Sequence, residues 1–484
     1  MKQRVRIAGV GGAGLVTDTG PSLLGQNALT EGYNWAVEGN SVRSMLQDWK
    51  LFDLDIKPLW QFAWATPLGV QKLFVSDGVV VYLYDMDGTY IDVTPEDGLT
   101  TGATINFTNL NSVAVMNSTL DGPFYYDTPD EQLKPLPGWD ADWTCNYMAA
   151  VRYYLVALGM TEDGDYFPHK VRWSTAAADG EIPTIWAPAA DNFAGDDLLG
   201  ESEGAAIGAT LWRDNLFVLK EDAVYSGVNI GGQYVFQFQR LSGEYGISDA
   251  RSVCEVKGGV AVATSDDLLL FDGTQWQSLA ADKVRRYLRE ASNGIGHVLY
   301  YPAQSWVVLM VDNQGTGRPE IALVFDLLSG QWFPKLLGYS YGACLAFVGD
   351  REQKDWLSFQ ANAADTAWWV SAVADEAIGE EVAEYYEANL TRTGIPLGEG
   401  SGKAMLHRAW VEFRGPSSGA QCSFGVQDYL DGDVSWSDWQ DISEDASFPL
   451  RALGRFGAFR YRYEGRDPWR LDGISLEWSP AGDR

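Results

Sequence analysis

Cysteine, histidine and positive charge are scarce in this sequence, and each shortage removes a class of chemistry. Four Cys stand at 145, 254, 344 and 422, with no two at metal-site or redox-pair spacing. They are expected to be free core thiols of a protein made in a reducing cytosol. A hydrolytic triad or a zinc site would need one of only three His, namely His169, His297 and His407. None has a nucleophile or second ligand at a motif spacing, so structural roles are expected for all three. Lys and Arg total 35 against 66 Asp and Glu, a net charge of −31. Gripping a duplex requires cations that neutralise phosphates, so this balance argues against nucleic-acid binding. The surplus of carboxylates serves solubility, or keeps a surface from sticking to DNA that passes close by. No run reaches the roughly 18 apolar residues of a membrane-spanning helix. The opening MKQRVRIAGVGGAG lacks a secretory apolar core, so no export signal is expected and the Asn-x-Ser/Thr matches at Asn106, Asn117 and Asn389 read as chance.

What is abundant is aromatic and glycine. Hydrophobic residues make up 46% and aromatics 13%, enough for a packed core, which excludes disorder as the main state. The 52 Gly, set among short alternating apolar runs, point to strands joined by tight turns. One unit recurs along the chain, at 58–95, 104–139, 146–188, 206–243, 252–279, 297–337 and, more weakly, 342–373. Each copy carries three or four strand patterns within roughly 35–55 residues, the period of a four-stranded propeller blade. A small twisted sheet cannot bury both faces alone, whereas blades packed face to face around an axis bury them mutually. The Asp-Gly turns after Phe271 and the Asp326…Gly330 turn before Trp332 mark equivalent hairpins. The fold class expected is all-β, a propeller of six or seven blades with a small C-terminal β-sandwich-like module. The strand after Asn34 is a candidate to complete the last blade.

The organisation expected is an N-terminal arm over 1–33, the propeller over 34–375, a connecting segment over 376–402 and the C-terminal module over 403–484. The segment 376–390 (EAIGEEVAEYYEANL) reads equally as helix or extended chain. Within the propeller, ADKVRRYLRE (281–290) has helical spacing, with Val284, Tyr287 and Leu288 on one side and Lys283, Arg285, Arg286 and Arg289 around them. Those four cations are either a solvated helix face or a contact for an acidic partner. In the C-terminal module Arg455, Arg460, Arg462, Arg466 and Arg470 recur near the strands, as solvent-facing alternation or as a contact surface.

Motifs that would carry chemistry fail on context. Gly9, Gly11 and Gly14 match a dinucleotide fingerprint, but Gly20 and Pro21 stop any helix that would hold the pyrophosphate. Asp85-Met86-Asp87-Gly88 opens like a calcium loop with Thr89 and Glu96 at the fifth and twelfth places, but Tyr90–Val93 reads as strand, favouring an ordinary hairpin. DGTQW (272–276) keeps only the tail of the sialidase turn repeat, and no arginine recurs at fixed blade positions. No catalytic residue, metal or cofactor is therefore expected.

The order of several segments resembles a known family. HKVRWST (169–175) precedes IWAP (185–188), then IGATLWRDNLFVLKEDAVYSG (207–227), then YVFQFQRLSGEYGISDARSVCEVKGGVAVATSDDLLLFDGTQWQSLA (234–280), and finally LGRFGAFRYRYEGRDPWRLDGISLEW (453–478). This series is similar to the tail nozzle or hub proteins, also called packaged-DNA stabilisation proteins, of short-tailed bacteriophages. The likeness covers 170–478, weakens toward Asn34, and does not include the glycine-rich N-terminal stretch. It implies a virion structural protein and not an enzyme, assembled in the host bacterial cytoplasm into a homo-hexameric ring. The ring would sit below the portal and adaptor and extend the DNA ejection channel. It would dock the tail needle or fibre and spike proteins, and let genomic DNA pass without specific binding or membrane insertion. The alternatives are a propeller enzyme that degrades glycan and a monomeric propeller interaction module.

Overall fold

The computed structural model describes residues 2–127, 131–232, 234–291, 295–349, 351–374, 378, 380–381, 387–397, 402–429, 432–442 and 447–481. Seven blades form a closed β-propeller. Blades one to six are four-stranded antiparallel sheets over 60–92, 105–135, 144–198, 206–242, 253–278 and 295–336. Blade seven takes three strands from 339–374 and is completed from the other end of the chain by Gln47–Leu54, which pairs with Trp368–Ala374. The innermost strands neighbour one another all the way round, and Tyr339–Ala346 of blade seven meets Trp60–Ala65 of blade one. Blade number is thus seven, and the strand that closes the ring lies after Asn34.

The repeat is visible in sequence because of where each strand sits. The second strand of a blade is covered on both faces by its neighbours, so it reads as a continuous apolar run. Val113–Ser118, Trp306–Val311 and Asp355–Ala361 are buried at every position. Aromatic side chains fill the layers between blades. Trp64 of blade one packs on Phe74 and Tyr126 at ring distances of 5.7 Å, and its indole nitrogen donates to Ser112 O. The Asp-Gly hairpins repeat one device: the carboxylate of Asp87, Asp272 or Asp326 accepts from backbone N–H or hydroxyl groups two or three residues on.

Residues 2–33 do not form a detached arm, and Trp35–Glu38 and Ser41–Ser44, expected to open the propeller, belong to the sandwich instead. Gln3–Ala8 pairs antiparallel with Arg470–Pro480, and Glu31–Tyr33 pairs with Glu387–Pro396. The C-terminal module is therefore a sandwich of two six-stranded sheets to which both chain ends contribute. Phe413 on one sheet packs against Tyr461 on the other at 5.8 Å. Its core runs on into blade six, where Trp35 meets Phe333 and the Asn34 N–H donates to Pro334 O. A buried Lys335 on the outer strand of blade six reaches Asp48 at 2.6 Å, fixing the start of the strand that closes the ring. Most of 376–386 lies outside the described residues. Glu380–Glu381 within it and Glu387–Pro396 after it are strands.

Candidate functional site

The propeller axis holds a cavity of about 690 Å³ lined by the innermost strands of the blades. Trp60, Phe62, Phe107 and Tyr147 supply aromatic surface, and Asn106, Asp249, Arg251 and His297 supply polar groups. Asp249 and Arg251 are placed by a 3₁₀ turn, Ala250–Ser252, that enters blade five. Asp249 caps this turn, with its carboxylate accepting the Arg251 N–H at 2.8 Å. Arg251 returns a two-pronged ion pair to the same carboxylate, at 3.1 and 2.8 Å, and lies 5.1 Å over the Trp60 ring. Burial acts to raise the Asp249 carboxyl, but the Arg251 hydrogen bonds and charge outweigh it and hold it below its ordinary value.

His297 sits beside this pair on the strand Ile295–Tyr301. Burial, helped by the Arg251 charge, pushes its pKa down to about 3, so the ring is neutral at physiological pH. Its Nδ1 is buried without a hydrogen-bond partner, as is Gln61 Nε2 on the adjoining wall. Burial also pushes the Cys344 thiol and the Tyr147 hydroxyl up to about 12. These shifts leave Asp249 ionised and His297, Cys344 and Tyr147 uncharged near pH 7. Two carboxylates reach the cavity. Asp249 is held by Arg251, and Glu221 accepts the Ala205 N–H at 2.9 Å. The arrangement offers stacking surface and hydrogen bonds, with no free pair of carboxylates among the described residues.

The basic stretch falls at the edge of blade five. The helix there spans only Arg285–Glu290, shorter than the sequence pattern predicts, because Asp282 adopts a left-handed φ of 61° and the chain before the helix is a turn. Three successive N–H groups, from Lys283 to Arg285, converge on Ala280 O. The cations are paired within the chain. Arg285 contacts the buried Asp267 and donates to Ser278 Oγ, Arg286 pairs with Glu290 at 2.8 Å, and Arg289 with Asp266 at 2.9 Å. Lys283 reaches Gln331 Oε1 at 3.5 Å, and Asp18 accepts the backbone N–H groups of Arg285 and Arg286. Apart from Glu290, four residues on from Arg286, sequence distance hides these partners.

The remaining motifs have structural uses. The GVGGAG stretch packs against backbone: a Cβ on Gly14, whose φ is +73°, would stand 2.6 Å from Trp332 O. The Asp85–Thr89 stretch is a hairpin turn, and Lys72 holds Asp85 at 2.8 Å. His169 Nδ1 accepts from the buried Lys220 Nζ at 3.2 Å, and His407 Nε2 shares a hydrogen bond with the Ser479 hydroxyl at 2.8 Å. The four Cys are unbridged. Among the described residues no three His, Cys, Asp or Glu gather as a metal site, and no helix is long and apolar enough to cross a membrane. No local pattern marks Trp60, Asp249 or Arg251, since an Asp-x-Arg step in a loop carries no signal until the fold turns it to the axis.

No protein-family profile matches the chain, and no curated protein matches it in sequence. Solved structures with a similar fold include a copper-bound fungal alcohol oxidase, at 11% identity over 89% of this chain and 93% of the oxidase, with a TM-score of 0.46. A streptogramin B lyase is 9% identical over 68% of this chain and 97% of its own, with a TM-score of 0.41. Virginiamycin B lyase from Staphylococcus aureus is 10% identical over 77% and 99%, with a TM-score of 0.38. At such identities the likeness is one of overall form, and nothing of those proteins' chemistry carries over to this seven-bladed chain.

Proposed function

We propose that this chain is a structural subunit of a bacteriophage tail, the nozzle or hub that assembles as a hexameric ring below portal and adaptor. In this reading it extends the DNA channel and docks the needle or tail fibres. The order of the family-like segments carries the proposal. They fall on the third strand of blade three, on blades four and five, and then on Phe456–Glu464 and Arg470–Pro480, one strand from each sheet of the sandwich. Two physical features support it. Among the described residues the two carboxylates at the propeller axis hold Arg251 and the Ala205 N–H, which favours this reading over the glycan-degrading alternative. The net charge of −31 suits a conduit through which duplex must slide without counterion-release attraction. Electron microscopy of the purified chain tests the reading. Six-fold rings that bind portal–adaptor assemblies are expected, and a monodisperse single subunit with no affinity for those assemblies would overturn it.

A further inference from the structure

The outer face of one sandwich sheet concentrates positive charge on aromatic rings. On the strand Phe456–Glu464, Phe459, Tyr461 and Tyr463 point into the sandwich core and Arg460 and Arg462 point out. The Arg460 guanidinium lies 4.5 Å over the Trp436 ring and 4.4 Å over Trp439, and Arg462 lies 4.5 Å over Trp439. Arg462 donates twice to Gln421 Oε1, at 2.8 and 2.6 Å. Arg460 has no carboxylate and no hydrogen-bond acceptor among the described residues, and its Nε is buried without a partner. Burial, together with the Arg462 charge, pulls the Arg460 pKa down, and an anion arriving here would offset the repulsion between the two guanidinium groups. In a chain with 31 surplus negative charges, this is an anion-seeking surface.

The complementary surface lies on blades three and four. Exposed apolar side chains gather there, with Phe193 at 53%, Leu198 at 65% and Tyr234 at 74%. The Trp173 indole donates to Phe193 O and packs on Phe236, two residues from Tyr234, at 5.6 Å, and Leu198 ends the edge strand Gly195–Leu198 whose Gly195 faces Trp173. Asp191 and Asp197 flank the patch and are exposed. An apolar rim with carboxylates at its edge fits a partner that presents flat aromatic rings capped by guanidinium groups. The sandwich rests on blade six, and blade three lies three blades away by the shorter route, the largest separation that a ring of seven permits. The two surfaces of one chain cannot meet each other, but those of two copies can.

We propose that the Arg460–Arg462–Trp436–Trp439 face docks on the Phe193–Leu198 rim of a second copy of this chain. This is a head-to-tail contact, and repeated with a closing rotation it makes a ring. The inference rests on the ring reading above. The test is solution mass, by light scattering, of the full chain and of two variants: Arg460→Gln/Arg462→Gln on one surface and Phe193→Ser/Leu198→Ser on the other. Each variant alone is expected to run at single-subunit mass. Mixed in equal amounts they retain one intact surface each, so the expected species is a 1:1 pair that grows no further. Melting curves separate lost docking from lost folding. Asp191→Lys/Asp197→Lys, confined to exposed loop and edge positions, is expected to abolish assembly with an unchanged melting temperature. Variants that still form the wild-type assembly would overturn the contact and leave the ring reading standing. Open chains of wild-type protein that the variants break would uphold the contact and overturn the closed ring. A wild-type chain that stays single at all concentrations would overturn both.

Discussion

At the scale of single residues, the polar groups that matter here are those that tie distant parts of the chain. Asp365 is the clearest. It lies on a hairpin of blade seven and accepts from Tyr341 OH at 2.6 Å, Trp368 Nε1 at 3.0 Å and Lys57 Nζ at 2.8 Å. Lys57 stands between the strand that closes the ring and blade one, so this carboxylate pins the closure. Burial acts to raise the Asp365 carboxyl, but Lys57, Tyr341 and Trp368 together pull it down to about 2. A folded pKa below the ordinary 3.8 means stability present above that value and lost as pH falls through about 2. Asp365→Asn keeps the left-handed backbone that Asn tolerates, with φ at 57°, and removes the charge while turning one acceptor oxygen into an amide donor. It is expected to cost about 1–2 kcal/mol at pH 7, near the low end for charged hydrogen bonds because the group is partly exposed. The difference from wild type should shrink as pH is lowered from about 4 to about 2. Melting temperatures across that range check this, and a gap that stays constant would assign the loss to shape instead of charge. The basic stretch teaches the converse lesson. The charges of Lys283, Arg285, Arg286 and Arg289 are plain in sequence, but Asp18, Asp266 and Asp267 meet them only after folding, so the sequence could not say whether the cations were free.

At the scale of elements, legibility followed the distance between partners. The seven repeats read from the sequence fall on the seven blades, because hairpin neighbours are close in sequence and middle strands buried on both faces are written as apolar runs. The N-terminal stretch resisted reading because Gln3 pairs with Trp478, and no local pattern announces a partner at the far end of the chain. The glycines there are explained by the same long-range packing. Gly14 lets the Leu15 N–H reach Trp332 O at 2.7 Å, joining the sandwich edge to blade six. Gly14→Ala would force a Cβ against that carbonyl in a conformation that L-residues avoid. A loss of about 1–3 kcal/mol is expected, with faster proteolysis of the sandwich–propeller junction. Gly20→Ala, which has open space and no left-handed φ, is the matched control and should change neither. Equal effects of the two substitutions would show that the close approach at Trp332 contributes nothing to the junction.

At the scale of the whole molecule, charge and apolar surface oppose each other. Every copy adds a net charge of −31, so assembled copies repel over a distance set by the Debye length. That length is about 30 Å at 0.01 M salt, about 10 Å at 0.1 M and about 3 Å at 1 M. The docking contact inferred above acts at short range, and it combines Arg–carboxylate attraction with burial of Phe193, Leu198 and Tyr234. Long-range repulsion therefore governs at low salt, and assemblies are expected to fall to single subunits near 0.01 M. Near 0.15 M the repulsion is cut to contact distance while the buried rim remains, and the ring should dominate. At about 1 M the ionic part of the contact is screened as well, but the apolar part persists and is not weakened by salt. Rings should then survive, and Asp191→Lys/Asp197→Lys should regain some assembly because its repulsive charges are masked. Mass measured across this series checks the balance. Assembly strongest at 0.01 M and lost at 1 M would mean that the contact is ionic alone, and that the apolar rim of blades three and four faces some other surface.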